Sequence, residues 1–407
     1  MPRYVPIWLD RFPKSRRPAH PRLRGELETD VIVVGGGLTG CACASSFAAA
    51  GVKVVLVEAD RIGGGSTAGS AGLIREDFDA SFQETAASYG LRAARMIWQG
   101  QRRASLDLAA AIKRQEIRCD LVPQDLLSVV RRDAESVRRL RREYDARRAA
   151  GLDHTWMTAA ALAREASIDA GAAIRTRGFA FDPFRACLGF AESAVGRGAT
   201  FFERTSVRRI RAGRKTVEVT AATGTVRAQA VIVATAAALP DLRALRRHLH
   251  TVQSYTVVTE PLPAAVRREL GRRAAALRDS ASPPHFLRWL KDDRALFVGA
   301  DQAPVAARAR DKILVQRSGQ LMYELSTIYP AISGAMPEWS WDVTHDTTVD
   351  GLPYVGLHRN FPRHLFALGH GRHGAAVAWL AARLLLRQFQ GSPDRADDLF
   401  AFSRILK

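Results

Sequence analysis

The segment Asp30-Val31-Ile32-Val33-Val34-Gly35-Gly36-Gly37-Leu38-Thr39-Gly40, an alanine-rich stretch, and then Val54-Val55-Leu56-Val57-Glu58 constrain this chain more than anything else in it. Residues 31–34 are a short, all-apolar, β-branched run suited to a strand buried on both faces. Gly35, Gly37 and Gly40 follow with G-x-G-x-x-G spacing. The first permits a tight turn and the second lets the backbone approach a pyrophosphate. The third lets the following helix pack closely on the sheet. The pattern predicts a helix over 38–50, with Gly51 as its C-cap and a second parallel strand after it. The N-terminus of that helix, at Leu38 and Thr39, can stabilise an anionic ligand. Glu58 lies 18 residues beyond Gly40, where it can accept bonds from ribose hydroxyls, and an acid there argues against a 2′-phosphate. A structural turn that happens to match is the competing reading.

A second small-residue segment follows directly: Ala59, then Arg61-Ile62-Gly63-Gly64-Gly65-Ser66-Thr67-Ala68-Gly69-Ser70-Ala71-Gly72-Leu73-Ile74. A nicotinamide site has no need of it, and alone it reads as a surface loop. A larger flavin does need the chain to pass close to its pyrophosphate and ring. Far downstream come Thr344-His345-Asp346-Thr347-Thr348-Val349-Asp350-Gly351-Leu352-Pro353-Tyr354-Val355-Gly356 and Leu368-Gly369-His370-Gly371-Arg372-His373-Gly374. Between them lie Phe181-Asp182-Pro183 and Ala199-Thr200-Phe201-Phe202-Glu203 with Val207.

Taken together, these segments resemble the FAD-dependent oxidoreductases of the D-amino-acid oxidase superfamily, in particular the glycine, sarcosine and gamma-glutamylputrescine oxidase branch. The resemblance runs over almost the whole chain. It implies an α/β fold: a Rossmann-like FAD-binding domain of the glutathione-reductase type, with an inserted mixed or antiparallel-sheet substrate domain. It implies non-covalent FAD held by Gly35, Gly37, Leu38, Thr39, Gly40, Glu58, Ala59 and Arg61, and by Gly65, Ser66, Thr67, Ser70, Ala71, Gly72 and Leu73. Val207, Ala234, Gly351 and Pro353, and Gly369, Gly371, Arg372, His373 and Gly374 complete the set. Where the family usually shows Ala-Thr-Gly, this chain has Ala234-Thr235-Ala236.

The expected division is an extended N-terminal arm over 1–28, a discontinuous FAD-binding domain over 29–80, 150–240 and 342–407, and a substrate and helical region over 81–149 and 241–341. Helices are expected over 93–113, 134–149, 158–165, 184–196, 308–328 and 375–388. Strands are expected at 126–130, 200–202, 207–211, 216–220 and 229–235. Those at 254–259, 285–290 and 295–299 are expected to alternate, half exposed, in a second sheet that roofs a cavity.

At 407 residues the chain can bury one or two cores. No apolar run is long enough to span a bilayer, and the first thirty residues have no secretory apolar core. Cys41, Cys43, Cys119 and Cys187 lack metal-like clustering, so no metal is expected and a reducing, cytoplasmic setting is the natural reading. Lys plus Arg number 60 against 41 Asp plus Glu, a net charge of +19, with only seven lysines. The densest arginine run, 131–148, is interrupted by Asp133, Glu135, Glu143 and Asp145, and Val137, Leu140 and Tyr144 recur at helical spacing. It reads as a solvated helix face, with an acidic partner or nucleic acid as the alternative.

Candidate chemistry centres on Arg288, His370 and His373. Arg288, in Phe286-Leu287-Arg288-Trp289-Leu290, could hold a substrate carboxylate bidentately, against an exposed edge-strand arginine. His373 and His370 belong to the flavin-side turn or serve as scaffold imidazoles. The implied reaction is oxidation of an amine or amino acid to an imine, with oxygen reoxidising the flavin. A dehydrogenase passing electrons to a quinone or protein carrier, and an RNA-associated flavoprotein, are the alternatives. Sarcosine-oxidase-like members attach flavin through a cysteine in the C-terminal half, and this chain has none after Cys187. Acid precipitation of the holoprotein should therefore release its flavin into the supernatant; flavin absorbance remaining in the washed pellet would contradict this.

Overall fold

A computed structural model describes residues 2–235, 240–372 and 374–404. The predicted nucleotide unit is formed. Strand Gly25–Val34 pairs in parallel with Val54–Val57 on one side and Gly224–Val233 on the other. Thr200–Phe202 extends the sheet beyond Val54–Val57, also in parallel. The first strand begins at Gly25, earlier than the apolar run, because its outer half pairs with Gly224–Val233 near the surface. The long strand Gly224–Val233 divides its partners. Its first half pairs with the antiparallel Val217–Ala221, and its second half pairs in parallel with Phe361–Leu368. Helix Leu38–Ala49 crosses between the first two strands, and Gly51 ends it at φ +79°.

A second eight-stranded sheet runs Pro337–Thr347, His250–Thr259, Ala295–Gln302, Phe286–Trp289, Ala276–Arg278, Leu126–Val130, Ala172–Thr176, Thr155–Thr158. It is antiparallel except where Ala276–Arg278 meets Leu126–Val130. The expected half-exposed alternation is not found: Phe286–Trp289 is buried throughout, as are seven consecutive positions of His250–Thr259. Helix Arg310–Ile328 covers the face turned away from the nucleotide sheet, where Leu314, Leu321 and Leu325 join a core with Tyr255, Val257, Leu287 and Phe297. A sheet covered on both faces has no reason to alternate. Strands Thr155–Thr158 and Ala172–Thr176 belong to this sheet, so part of the 150–240 stretch lies outside the nucleotide unit.

The N-terminal arm is not simply extended. It contains a short helix, Ile7–Arg11, whose Ile7 and Trp8 are buried. Trp8 Nε1 donates to Ser70 O at 2.8 Å, so the arm is tied to the small-residue loop. The remaining helices fall close to the expected spans, at Leu91–Arg114, Ala134–Ala149, Ala159–Ala166, Pro183–Val195 and Ala375–Phe389. Thr158 and Asp182 cap the third and fourth through the N–H groups of Ala161 and Arg185.

Most arginines of the 131–148 run are exposed, as a solvated face requires, but Arg147 is buried. Its Nε bonds Glu143 Oε1 at 2.6 Å and its guanidinium lies 4.4 Å from the Trp98 ring. The Glu143 carboxylate also accepts from the N–H groups of Phe82 and Gln83, at the start of helix Phe82–Tyr89. Removing one partner of a buried pair leaves an uncompensated charge, at a cost of about 3 kcal/mol or more. Glu143→Ala should lower the denaturant midpoint by a corresponding amount, whereas Glu135→Ala on the exposed face should leave it nearly unchanged.

Candidate flavin and substrate site

A long cleft opens at the C-terminal ends of the parallel strands, the usual ligand position in such sheets. It encloses about 1090 Å³, counting its open mouth. The glycine turn contributes Gly35, Gly37, Leu38 and Thr39; the end of the second strand contributes Glu58, Ala59 and Arg61; the following loop contributes Gly65, Ser66 and Thr67. Val207, Ala234, Gly369, His370 and Gly371 close it from the other side.

Gly40 does not line the cleft, but a Cβ there would sit 1.8 Å from the Gly35 carbonyl oxygen. Only glycine lets the helix settle on the turn. Gly35, at φ +110°, is pressed in the same way against the Ala234 carbonyl. No side chain of the Gly37 cap covers the helix start, and Leu38 N–H is taken by Thr67 Oγ1 at 2.9 Å. Glu58 is fixed at the strand end, where its two carboxylate oxygens accept from Gly36 N–H at 2.6 Å and Asp60 N–H at 2.9 Å. Glu203 anchors the next loop by accepting from Ile62 N–H at 2.9 Å and pairing with Arg61 at 2.8 Å. A helix N-terminus reached only past glycines, with an acid at the neighbouring strand end, fits the adenosine diphosphate half of FAD.

The cleft runs on into a second pocket. Both are lined by Leu38, Thr39, Ser66, Thr67, His345, His370 and Gly371. Ser70, Ala71, Phe181, Pro183, Val298, Val343, Arg372 and Gly374 line the second alone. The small-residue loop is clamped against the roof sheet here: a Cβ on Gly69 would lie 2.6 Å from Val343, and Trp341 Nε1 donates to Gly69 O at 3.1 Å. This two-part cavity is long enough to continue from the pyrophosphate cradle to a flat ring, so the residues present fit the whole cofactor.

Three polar side chains dominate the second pocket. His370 Nδ1 lies 3.2 Å from Thr39 Oγ1, and its Nε2 has no partner among the described residues. His345, on strand Pro337–Thr347, has an Nδ1 without a partner among the described residues. Burial pushes both imidazoles down to about 4, with Asp79 partly opposing the shift at His345, so both are uncharged at neutral pH. Arg372 pairs with Asp301 and stacks 5.4 Å from the Phe286 ring. Burial lowers it to about 10, which leaves it cationic. Arg75 and Arg278 stand 5.1 and 5.8 Å from the same ring, and Arg75 bonds Asp77 and Asp79, each at 2.8 Å.

Arg288 is placed differently from the expectation. It is neither an exposed edge residue nor part of the second pocket. Its Nη1 donates to three carbonyls, of Ala71, Gly72 and Phe181, at 2.8, 2.8 and 2.9 Å, and its guanidinium lies 5.2 Å from Trp8. It braces the pocket wall from behind and faces a separate cleft with Trp8 and Asp182. Gly72, at φ +70°, packs against Phe181 O and this guanidinium, and with Leu73 lies outside both pocket linings. Gly351 and Pro353 are also outside them. Asp350 and the Pro353 carbonyl are instead held by Arg404. His373 and Ala236 fall outside the described residues.

Sequence reasoning did not single out His345, Asp346, Thr205 or Ser206, which also line the cleft. His345 stood inside the quoted C-terminal motif. Period-two spacing from Val343 was the available sign that it shares an inward face.

The family model for FAD-dependent oxidoreductases, DAO, matches residues 30–388, and the chain belongs to this family. FAD is its cofactor. Over 380 residues it is 28% identical to gamma-glutamylputrescine oxidoreductase of Escherichia coli (strain K12), covering 92% of this chain and 87% of that protein. It is 26% identical to glycine oxidase of Geobacillus kaustophilus (strain HTA426), covering 92% and 96% of the two chains. The crystal structure of glycine oxidase from Geobacillus kaustophilus superposes with a TM-score of 0.77 at 21% identity, covering 94% of this chain and all of that one, which shows the same fold.

The buried imidazole of His345 links stability to pH. Its folded value is below its unfolded value of about 6.5, so the unfolded state binds the proton first as pH falls. The stabilisation is complete above about pH 6.5 and is lost as pH drops towards 4, by about 3 kcal/mol. Denaturant melts should show this loss between pH 6.5 and 4, with His370, lowered equally, adding to it, and His345→Gln should remove about half of that slope.

Proposed function

We propose that this protein oxidises a primary or secondary amine, or an amino acid, to an imine and returns the electrons to oxygen. For a primary amine the net change is RCH2NH2 + O2 + H2O → RCHO + NH3 + H2O2, the imine hydrolysing in water. Bound FAD supplies the two-electron acceptor. The chain's residues supply a place for the substrate and the exclusion of solvent. The observation that carries this reading is the apolar wall of Phe181, Pro183, Val298 and Val343 at the ring end of the two-part cofactor cavity. Apolar walls disfavour an ammonium ion and so favour the neutral amine, the form able to give up electrons from its α-carbon. His345 and His370, both uncharged, offer hydrogen bonds without a competing positive charge.

The names of the similar proteins support amine chemistry: one acts on gamma-glutamylputrescine and another on glycine. Four buried, unpaired cysteines agree with a cytoplasmic setting. Among the described residues, no helix is long and apolar enough to cross a membrane. Anaerobic addition of amines and amino acids to the holoprotein should bleach the flavin absorbance, and air should restore it within one turnover. Bleaching without recovery in air would move the acceptor from oxygen to a quinone or protein carrier. No bleaching across glycine, sarcosine, D-amino acids, proline and acylated polyamines would overturn the proposal.

A further inference from the structure

Arg288 is a buried cation that no acid answers. It is 7% exposed, and burial lowers it to about 10, which leaves it charged at neutral pH. Arg75, Arg147, Arg294, Arg372 and Arg404 have side chains buried to a similar degree, and each has a carboxylate within ion-pair distance. Arg288 has none among the described residues. Its Nη1 is committed to the carbonyls of Ala71, Gly72 and Phe181. Nη2 and Nε form the edge of a guanidinium that can hold an oxyanion side-on, and neither makes a hydrogen bond among the described residues. Carbonyl oxygens satisfy donors but bring no net charge, and a buried charge without a counter-ion is costly.

This guanidinium lines a cleft that encloses about 1140 Å³, counting its open mouth, and that shares no lining residue with the two-part cofactor cavity. Segment 180–183 divides the two, with Phe181 and Pro183 on the cofactor side and Ala180 and Asp182 on the outer side. Four acids line the outer cleft, and each is engaged elsewhere. Asp292 pairs with Arg11 at 2.5 Å and with Arg294 at 2.8 Å. Asp293 pairs with Arg267 and Arg273, and Asp120 with Arg185 and Lys291. Asp182 pairs with Arg185 at 3.4 Å and caps helix Pro183–Val195. Arg272, also in the lining, is exposed and makes no ion pair among the described residues. The indoles of Trp8 and Trp289, both nearly buried, give the cleft apolar walls together with Val122 and Leu290. Trp8 lies 5.2 Å from the Arg288 guanidinium.

We propose that this outer cleft is a second binding site, for a small organic carboxylate whose apolar body lies against Trp8 and Trp289 while Arg288 Nη2 donates to one carboxylate oxygen. The carboxylate supplies the counter-charge that the chain withholds. The indole walls offer burial that an inorganic anion has no use for, and Arg272 adds attraction from the exposed side. Occupancy bears on the cofactor side as well. Arg288 holds Ala71 and Gly72 of the small-residue loop, and Trp8 holds Ser70. A ligand that fixes both side chains therefore steadies the loop that walls the cofactor cavity. The site stands apart from the amine oxidation proposed above and does not depend on it.

Isothermal titration of the oxidised holoprotein with phenylacetate should show saturable binding with a Kd of about 0.1–1 mM, and inorganic phosphate should bind roughly ten-fold more weakly or less. Two variants locate the ligand. Arg272→Glu should weaken phenylacetate by roughly five-fold. Ala274→Trp, which fills the cleft from an exposed lining position, should abolish saturation up to about 10 mM. Far-ultraviolet and visible flavin spectra check that each variant is folded and loaded. Arg288→Lys keeps a cation without the free edge and should weaken binding about ten-fold; where it sheds its flavin, the other two variants decide. Absence of binding to the parent protein, phosphate binding as tightly as phenylacetate, or unchanged phenylacetate affinity in Arg272→Glu or Ala274→Trp would each overturn the proposal.

Discussion

The approach of Gly40 to the Gly35 carbonyl is the contact on which the site depends. It brings the start of helix Leu38–Ala49 down onto the turn that ends strand Gly25–Val34. Backbone N–H groups then face a point just beyond the strand ends, where a dianion can bind. Any side chain at Gly40 would lift the helix and withdraw that field. Glu58 and Thr67 are positioned from this same corner, one by Gly36 N–H and the other by Leu38 N–H.

A second constraint joins the two sheets. The small-residue loop is squeezed between the nucleotide unit and strand Pro337–Thr347, with Gly69 against Val343 and Trp341. From behind, Arg288 gathers the carbonyls of Ala71, Gly72 and Phe181, and Trp8 bonds Ser70 O. A loop of glycine, serine and alanine has little rigidity of its own. Here its rigidity comes from the chain packed around it, including an N-terminal arm that composition alone described as extended. The consequence for function is a pocket wall that stays in place without the ligand.

Much of this was legible because it is local. The glycine spacing, the β-branched strands, the acid after the second strand and the caps at Thr158 and Asp182 all act within a few residues of one another. Their helices and strands therefore fell near the expected spans. The second sheet was less legible. Its strands were expected to alternate, but helix Arg310–Ile328 buries the far face, and nothing within a strand reports what covers it. Glu143 and Arg147 looked like members of a solvated charge run until Trp98 and helix Phe82–Tyr89 closed over them. The role offered to Arg288 was chemically sound for an arginine flanked by apolar residues. The direction of its side chain depended on carbonyls more than a hundred residues away.

The sequence by itself determined the cofactor cradle and the family, because a dinucleotide turn is a continuous segment whose glycines have short-range steric reasons. It also carried the second glycine turn at 369–374, whose positive φ values at Gly369 and Gly371 follow from residue type. Only the tertiary structure decided what that turn meets. His345, Arg372 with Asp301, and Phe286 come from three separate strands and a loop, and meet because the roof sheet folds over the nucleotide sheet. Their charges and free hydrogen-bonding atoms depend on that meeting, since burial makes the imidazoles neutral and an acid on strand Ala295–Gln302 pairs the guanidinium.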